Sequence, residues 1–524
     1  MILKVKLWGQ EVGRLFWDGR NGVSVWAFNE RFLKSGLDIA PFYAPVGLPS
    51  SRRPMNGIKE KPFGGLPPFI ADSLPDAWGN LVFSTMMPEL DRERNPLLRL
   101  SYIGKRGIGA LEFEPETGRA RENERVDLVA LKELAARIQK ERENVSFTEK
   151  DGVTAEQLKR LGSPPGGRQP KTLIAMDGNH NFRSGQAPAP HGFRYYVLKF
   201  QPQDLPCASL IEMTYNELMN AAGIDAATAR VINTGAEHHF LSERFDRGPG
   251  GEKYFSQTLA ALYPDAKSYE DLMYVARRLG LGEDVSREIF ARTTFNFLGC
   301  NTDDHYKNHS FIMDRDGRWR LAPAYDVTYT ISPSEPLSAQ SHCLSVKGKV
   351  RDVTVDDLLA FAQEEQVKSA EKILARVCEA LTGLRKKAQF YRVPPEWIDR
   401  MEENVSKNLP EEYARRMEGY KGLPLEPYSD GDLSVSDVRF EETISHDVKL
   451  LATINGREFK YVFRNGRAVA DEIGRKGMNR MSPEEKKEMV GKYLLPKARE
   501  FFSEGRGERQ AEDVSKHPPM TPKL

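Results

Sequence analysis

Apolar and polar residues alternate from the first position of the chain. In MILKVKLWGQEVGRLFWDG (Met1–Gly19) this period of two predicts a pair of strands turning near Gly9. Residues 1 to about 115 stay strand-rich, with turn signals at Gly64–Gly65, Pro67–Pro68 and Gly104 to Gly109. Within them lies FGGLPPFIADSLPDAWG (Phe63–Gly79), where Asp72, Ser73 and Pro75 predict a turn feeding a helix from Asp76 to Met86. Its glycines and prolines read as a tight loop packed on the core. The period then changes: Asp127 to Gln139 has helical spacing, and VTAEQLKRLG, ending at Gly162, is a second helical piece. SPPGGRQPK (Ser163–Lys171) fits no regular element and leads into a strand and turn, TLIAMDG. Beyond a loop at Gln186–Gly192, RYYVLKF is a β-prone run carrying Lys199. SLIEMTYNELMNAAGI predicts a helix ending at Gly223, and ATARVIN and HHFLSERFD read as strands. A loop, a strand bearing a lysine, a helix bearing a carboxylate and further strands follow the order of a kinase-like small lobe.

From Ser256 the pattern turns helical. SYEDLMYVARRLGL opens on a Ser268-x-x-Asp271 start signal and stops at Gly280, and VSREIFARTTFNFLGC delivers the chain to Asn301. Further helices are expected from Val355 to Thr382 and from Pro395 to Met417. After the break at Gly422–Pro424, VSDVRFEETI and VKLLATINGREFKYVF alternate as strands, with a hairpin signal at Asn455–Gly456. Ser482-Pro-Glu-Glu is a capping box opening a helix to about Phe502, and residues after Gly505 have the composition of a disordered tail. The expectation is a mixed α/β (α+β) protein with a two-lobed, kinase-like body. Its parts are a β-rich subdomain (1–115), a small lobe (116–250), a mostly helical large lobe (251–422) and an appended hairpin–helix module (423–524).

Composition narrows this picture more than it extends it. A chain of 524 residues is too long for one core. No apolar run approaches the roughly 20 residues that span a bilayer, and the N-terminus lacks the basic, apolar, small-residue order of a leader peptide. Four cysteines lie far apart with no CxxC spacing, which speaks against zinc and a disulfide framework and fits a reducing cytosol. Basic and acidic residues number 76 and 75, so the net charge of +1 makes no bulk electrostatic case for nucleic acid. Local pairs such as Lys105–Arg106 and Arg475–Lys476 read as solvated surface.

The chemistry concentrates in NTDDHYKNHS (Asn301–Ser310) and in LAPAYDV, which carries Asp326. An acid, four intervening residues, an asparagine and a distant second acid make the set that Mg²⁺- and ATP-dependent phosphoryl transfer uses. Asp303 would orient the attacking hydroxyl, while Asn308 and Asp326 would bind the metal. Asp304 competes for the first role; the six-residue spacing of kinase catalytic loops selects Asp303. His305 would brace the loop by hydrogen bonds, and Lys307 either reaches the γ-phosphate or is solvated. Gly166–Gly167 suits an anion-binding nest, or an ordinary surface loop. Lys199 either pairs with phosphates or is an edge lysine facing water; Glu212 on the next helix either holds it or is one of the glutamates common on exposed helix faces. In ERFDR (Glu243–Arg247) the main chain of Glu243 and Phe245 suits an adenine-binding hinge. Alternatively, Phe245 is core and Asp246–Arg247 a surface ion pair worth little.

Taken together, FGGLPPFIADSLPDAWG, GGRQPK, VLKF, the Glu212 helix ending AAGI, SERFDR, NTDDHYKN and LAPAYD resemble the HipA family of bacterial serine/threonine kinases, the toxin halves of toxin–antitoxin pairs. The resemblance runs in order from residue 1 to about 420; residues from about 425 onward match nothing recognised in it. It implies a β-rich subdomain on a kinase-like body, ATP and Mg²⁺ as cofactors, Lys199 on the ATP phosphates, Asp303 as the catalytic aspartate, and Asn308 and Asp326 as metal ligands. It also implies a cytoplasmic protein acting on a translation component such as an aminoacyl-tRNA synthetase, with no membrane partner. A small DNA-binding antitoxin would neutralise it, so that DNA is met only through that partner. Many members carry an autophosphorylated serine in the Gly-rich loop. Here Pro164 takes that position, leaving Ser163 as the phosphosite if there is one. Two other readings use the same residues: a nucleotide-binding regulator without catalysis, and a kinase of small molecules.

Overall fold

The computed structural model describes residues 1–75, 77–88, 95–118, 125–141, 169–332 and 340–418, together with the strands between 428 and 471. They divide into two compact units, Met1–Ala414 and Arg415–Leu524. The first two expected parts lie within the first unit, and the third does so as far as Ala414, eight residues short of its expected end at 422.

The alternation at the N-terminus folds as anticipated. Strands β1 (Ile2–Leu7) and β2 (Gln10–Asp18) pair antiparallel across a turn in which Trp8 and Gly9 both take positive φ. With β3 (Val23–Phe28), β4 (Met55–Asn56) and β5 (Leu111–Glu114) they form a sheet of order β4-β3-β2-β1-β5. Leu3, Val5, Leu7, Val12, Leu15 and Trp26 line its buried face. Short helices at Pro68–Ala71, Ala77–Met86 and Pro96–Ile103 accompany it, so the region is less purely β than its turn signals imply. Gly65, at φ +85°, is obligatory: a Cβ there would lie 2.5 Å from the Gly22 carbonyl oxygen.

The second sheet has the order β7-β6-β8-β10-β9, built from β6 (Lys171–Met176), β7 (Phe182–Ser184), β8 (Arg194–Lys199), β9 (Ala229–Thr234) and β10 (Glu237–Glu243). Helices Ala77–Met86 and Leu128–Glu141 bury Trp78, Val82, Leu131 and Ile138 against Tyr196, Leu198 and Leu241. Because side chains alternate along a strand, Lys199 points to the opposite face, toward the helix Ala208–Ala221. A third, small sheet of β11 (Phe255–Thr258), β12 (Ser310–Met313) and β13 (Trp319–Leu321) brackets the Asn301–Asn308 segment. Phe255 and Met313 belong to the same core as the N-terminal sheet.

The remaining helices make the large lobe. Tyr269–Arg278 starts on a reciprocal capping box of Ser268 and Asp271, as its sequence signals. Glu283–Leu298 is buried over its last three turns. The long helix expected from Val355 to Thr382 is two, Val355–Glu364 and Ala370–Thr382, because Gln366 and Ser369 adopt positive φ between them. Likewise the stretch from Pro395 divides at Pro410 into Pro395–Asn408 and Glu411–Glu418.

The second unit, by itself, is an antiparallel meander of β14 (Tyr428–Asp430), β15 (Leu433–Glu442), β16 (Val448–Ile454), β17 (Arg457–Arg464) and β18 (Arg467–Asp471) in sequential order. Val448 pairs with Phe463, Leu450 with Tyr461 and Ala452 with Phe459, which puts these apolar positions on one face. The helix and tail expected after Ser482 lie outside the described residues, as do the helical piece ending at Gly162 and the Arg475–Lys476 pair.

Candidate active site

Lys199 ends the central strand β8 and is buried, not an edge lysine facing water. Its Nζ donates to Glu212 Oε1 at 2.5 Å and lies 2.6 Å from Asp326 Oδ1. Burial pushes the ammonium toward neutrality, but Asp326 and Glu212 more than offset it and hold Lys199 above its usual value. Burial also drives the Glu212 carboxyl up, and the nearby Asp326 charge adds to that. Asp326 is pulled the other way: against its burial, Lys199 and Lys171 keep it ionised below the usual carboxylate range.

Lys171 is a residue that sequence reasoning overlooked. It opens β6 directly opposite Lys199 in the strand register and is 1% exposed. The cleft therefore has two lysines side by side, and Lys171 was legible as the last residue of GGRQPK, immediately before an apolar strand. The glycines themselves, Gly166 and Gly167, lie outside the described residues, as do Ser163 and Pro164.

Asp326 sits at φ +54°, a left-handed conformation that aspartate tolerates better than most residues. Its segment is held on both sides. The Ala324 amide donates to Asp225 O at 2.7 Å, and the Ala227 amide donates to Ala324 O at 2.8 Å. Arg292, buried in the helix Glu283–Leu298, donates to Ala322 O and Asp225 O. Tyr325 joins three parts of the site. Its hydroxyl donates to Lys307 O at 2.7 Å and lies 2.6 Å from Ser310 Oγ, and its ring packs on Phe245 at 5.2 Å.

The two adjacent aspartates have opposite surroundings. Asp304 is buried, and its carboxylate accepts hydrogen bonds from the Tyr269 hydroxyl, His342 Nδ1 and the Cys343 amide. It is a strut between the loop and residues 342–344. Asp303 is 63% exposed at its side chain and bonds to none of these. Partial burial and the neighbouring Asp326 and Asp304 charges raise its pKa, against the opposing pull of His305. Asn308 Nδ2 donates to the Asp303 carbonyl at 2.8 Å, which leaves its amide oxygen for another partner. Lys307 forms no ion pair within 4 Å in the described residues.

Four expectations need correction. His305 does not brace the loop through its ring: Nδ1 is buried without a partner, and Nε2 is 3.9 Å from Asp303. Its carbonyl does the bracing, accepting from the Asn308 amide at 2.7 Å. The Glu243 amide is not free to meet a base, because it donates to Thr228 O at 2.8 Å to complete the sheet; its carboxylate pairs with Arg194. Asp246–Arg247 is no surface pair. Asp246 is 2% exposed and takes bonds from Arg244, Arg247 and the Gly109 amide. Arg106 is buried rather than solvated, with its guanidinium over the Tyr102 ring and on Gln186 Oε1.

Among the described residues no three His, Cys, Asp or Glu side chains cluster as a metal cage. An Asn oxygen and one ionised carboxylate suit a hard cation that completes its shell with phosphate and water, as Mg²⁺ does. A cavity of about 290 Å³ beside Thr302, lined by Phe297, His342, Arg351 and Lys407 among others, contains none of these groups and is a separate feature.

The family model of the HipA N-terminal domain matches residues 3–114, and that of the HipA-like C-terminal domain matches residues 163–384. A Haemophilus influenzae protein named "Putative kinase" is 24% identical over 206 residues, a match taking in 36% of this chain and 58% of that protein. Among solved structures, a chain of the Shewanella oneidensis MR-1 HipA, HipB and operator DNA complex superposes with a TM-score of 0.52 at 15% identity. That superposition covers 79% of this chain and 95% of the other. The Helicobacter pylori proinflammatory kinase CtkA aligns with a TM-score of 0.32 at 12% identity, over 43% of this chain and 91% of its own. Among the described residues no helix is long and apolar enough to cross a membrane.

Proposed function

Because this chain belongs to the HipA family, we propose that it is an ATP- and Mg²⁺-dependent protein kinase acting on serine or threonine. The observation that carries the reading is the buried junction of Lys199, Glu212 and Asp326, with the solvent-facing Asp303 one loop away. Lys199, steadied by Glu212, takes the ATP phosphates, and Lys171 beside it adds a second positive charge. Asn308 Oδ1 and the Asp326 carboxylate hold the metal, which when bound neutralises phosphate charge. Asp303 orients the substrate hydroxyl and accepts its proton as the oxygen bonds to the γ-phosphorus. The bond from that phosphorus to the β-phosphate oxygen breaks, and ADP leaves. Phe245, its ring tilted against that of Tyr325, links the proposed hinge to the metal-binding segment.

The partner proposed is a small DNA-binding antitoxin, which fits the family and the HipB-bound relative. The substrate proposed is a component of translation, with an aminoacyl-tRNA synthetase the leading class and the cytoplasm the place of action. The chain incubated with labelled ATP, Mg²⁺ and bacterial lysate should label a protein on serine or threonine, and EDTA should abolish the label. Lys199→Met should lower kcat/KM about a hundredfold. Label appearing only in a small metabolite, or persisting undiminished in Lys199→Met, would sink the protein-kinase reading.

A further inference from the structure

The segment Phe63–Gly79 meets the cleft at Trp78, whose Nε1 donates to Lys171 O at 2.9 Å, and it is tied by side-chain hydrogen bonds to the strand β11 that pairs beside the catalytic loop. Asp72 follows the helix Pro68–Ala71 and directs both carboxylate oxygens at Thr258. Oδ2 accepts from the Thr258 amide at 2.7 Å, and Oδ1 accepts from its hydroxyl at 2.8 Å. Thr258 closes β11 and caps the helix Leu259–Leu262, its Oγ1 accepting from the Ala261 amide. The next amide, that of Leu259, donates to His309 O at 2.7 Å, one residue beyond Asn308. Thr258 also lies opposite Ser310 in the β11–β12 register, and Ser310 meets the Tyr325 hydroxyl that holds Lys307 O. A second bond crosses at the same place, from Gln257 Nε2 to Phe69 O at 2.8 Å. Phe69, Ile70, Phe255 and Met313 share one core.

We propose that Asp72, supplied by the N-terminal subdomain, is a positioning residue for phosphoryl transfer: its two-point grip on Thr258 sets where the Lys307–His309 end of the catalytic loop lies. This rests on the kinase reading above. A carboxylate aimed at one backbone amide and one hydroxyl fixes direction as well as distance, which apolar packing alone does not. Burial raises the Asp72 carboxyl and the charge of Lys307 opposes that rise, in keeping with the loop lying close by. On this account the N-terminal subdomain is part of the catalytic apparatus, acting through Thr258.

The test is labelled-ATP turnover by the full chain in saturating Mg²⁺, followed over a range of ATP concentrations as phosphate transferred to protein or to water. Asp72→Ala should lower kcat about a hundredfold, the loss that a small displacement of a reacting group produces. Its KM for ATP should stay within about twofold, because Lys199, Glu212 and Asp326 are untouched. Adding Thr258→Val should cost little more than Asp72→Ala alone, since both remove one connection. Should Asp72→Ala fold poorly, the near-isosteric Asp72→Asn carries the test, with a wild-type melting midpoint and kcat lowered at least about tenfold. Wild-type kcat in the folded variant, a rise in KM matching the fall in kcat, or additive losses with Thr258→Val would each overturn the proposal. A wild-type chain that turns over no ATP defeats the kinase reading itself. Turnover by wild type, equalled by the Asp72 variant, defeats only the positioning role.

Discussion

Asp303→Asn is expected to slow phosphoryl transfer about a thousandfold, with ATP affinity and melting midpoint close to wild type. The amide keeps the size of the carboxylate but cannot take the hydroxyl proton, and the side chain is exposed with no hydrogen-bonded partner to lose. Its neighbour supplies the contrast. Asp304→Asn disturbs a buried group that accepts from Tyr269, His342 and the Cys343 amide, so its main effect should be on stability. Measuring turnover and thermal melting for both variants separates the two adjacent acids. Wild-type turnover in Asp303→Asn, with the rate lost in a stably folded Asp304→Asn, would transfer the catalytic role to Asp304.

The largest stability effect should come from Asp246→Ala, at about 3–5 kcal/mol, read as a lower urea midpoint for the unit Met1–Ala414. Asp246 is buried among Arg244, Arg247 and the Gly109 amide, and the guanidinium groups hold its carboxyl far below the usual range despite burial. Burial and the adjacent Arg244 bring Arg247 itself down to about 10. Removing the carboxylate would leave two desolvated cations facing each other, while their bonds to the Gly107 and Gly109 carbonyls tie the same cluster to the N-terminal subdomain. Asp316→Ala, which breaks the exposed pair to Arg318, should by contrast leave the midpoint unchanged. If the two substitutions had equal effects, the buried cluster would not be the clamp described.

Local features were the legible ones. The Trp8–Gly9 turn, the Ser268–Asp271 capping box and the alternation through β8 each depend on residues within a few positions of one another. The Asp303–Asn308 spacing belongs to the same class, since one short loop holds both groups and the Asn308 amide closes it onto the Asp303 carbonyl. Where local signals misled, tertiary contact was the cause. Nothing within ten residues of Arg106 announces that Gln186 will receive it, and the helical pattern from Val355 to Thr382 does not reveal that Gln366 and Ser369 turn left-handed.

By itself, then, the order of residues determined the strand and helix periods, the turn chemistry, and which side-chain types could carry phosphoryl transfer. The tertiary structure alone decided which of them meet. Lys199 became a buried cation between Glu212 and Asp326, Asp246 a clamp instead of a surface charge, and Asp72 a neighbour of Thr258, 186 residues away. Period and propensity come from neighbours along the chain. Burial and ion pairing come from partners that only the packing of sheets and helices brings within a few ångströms.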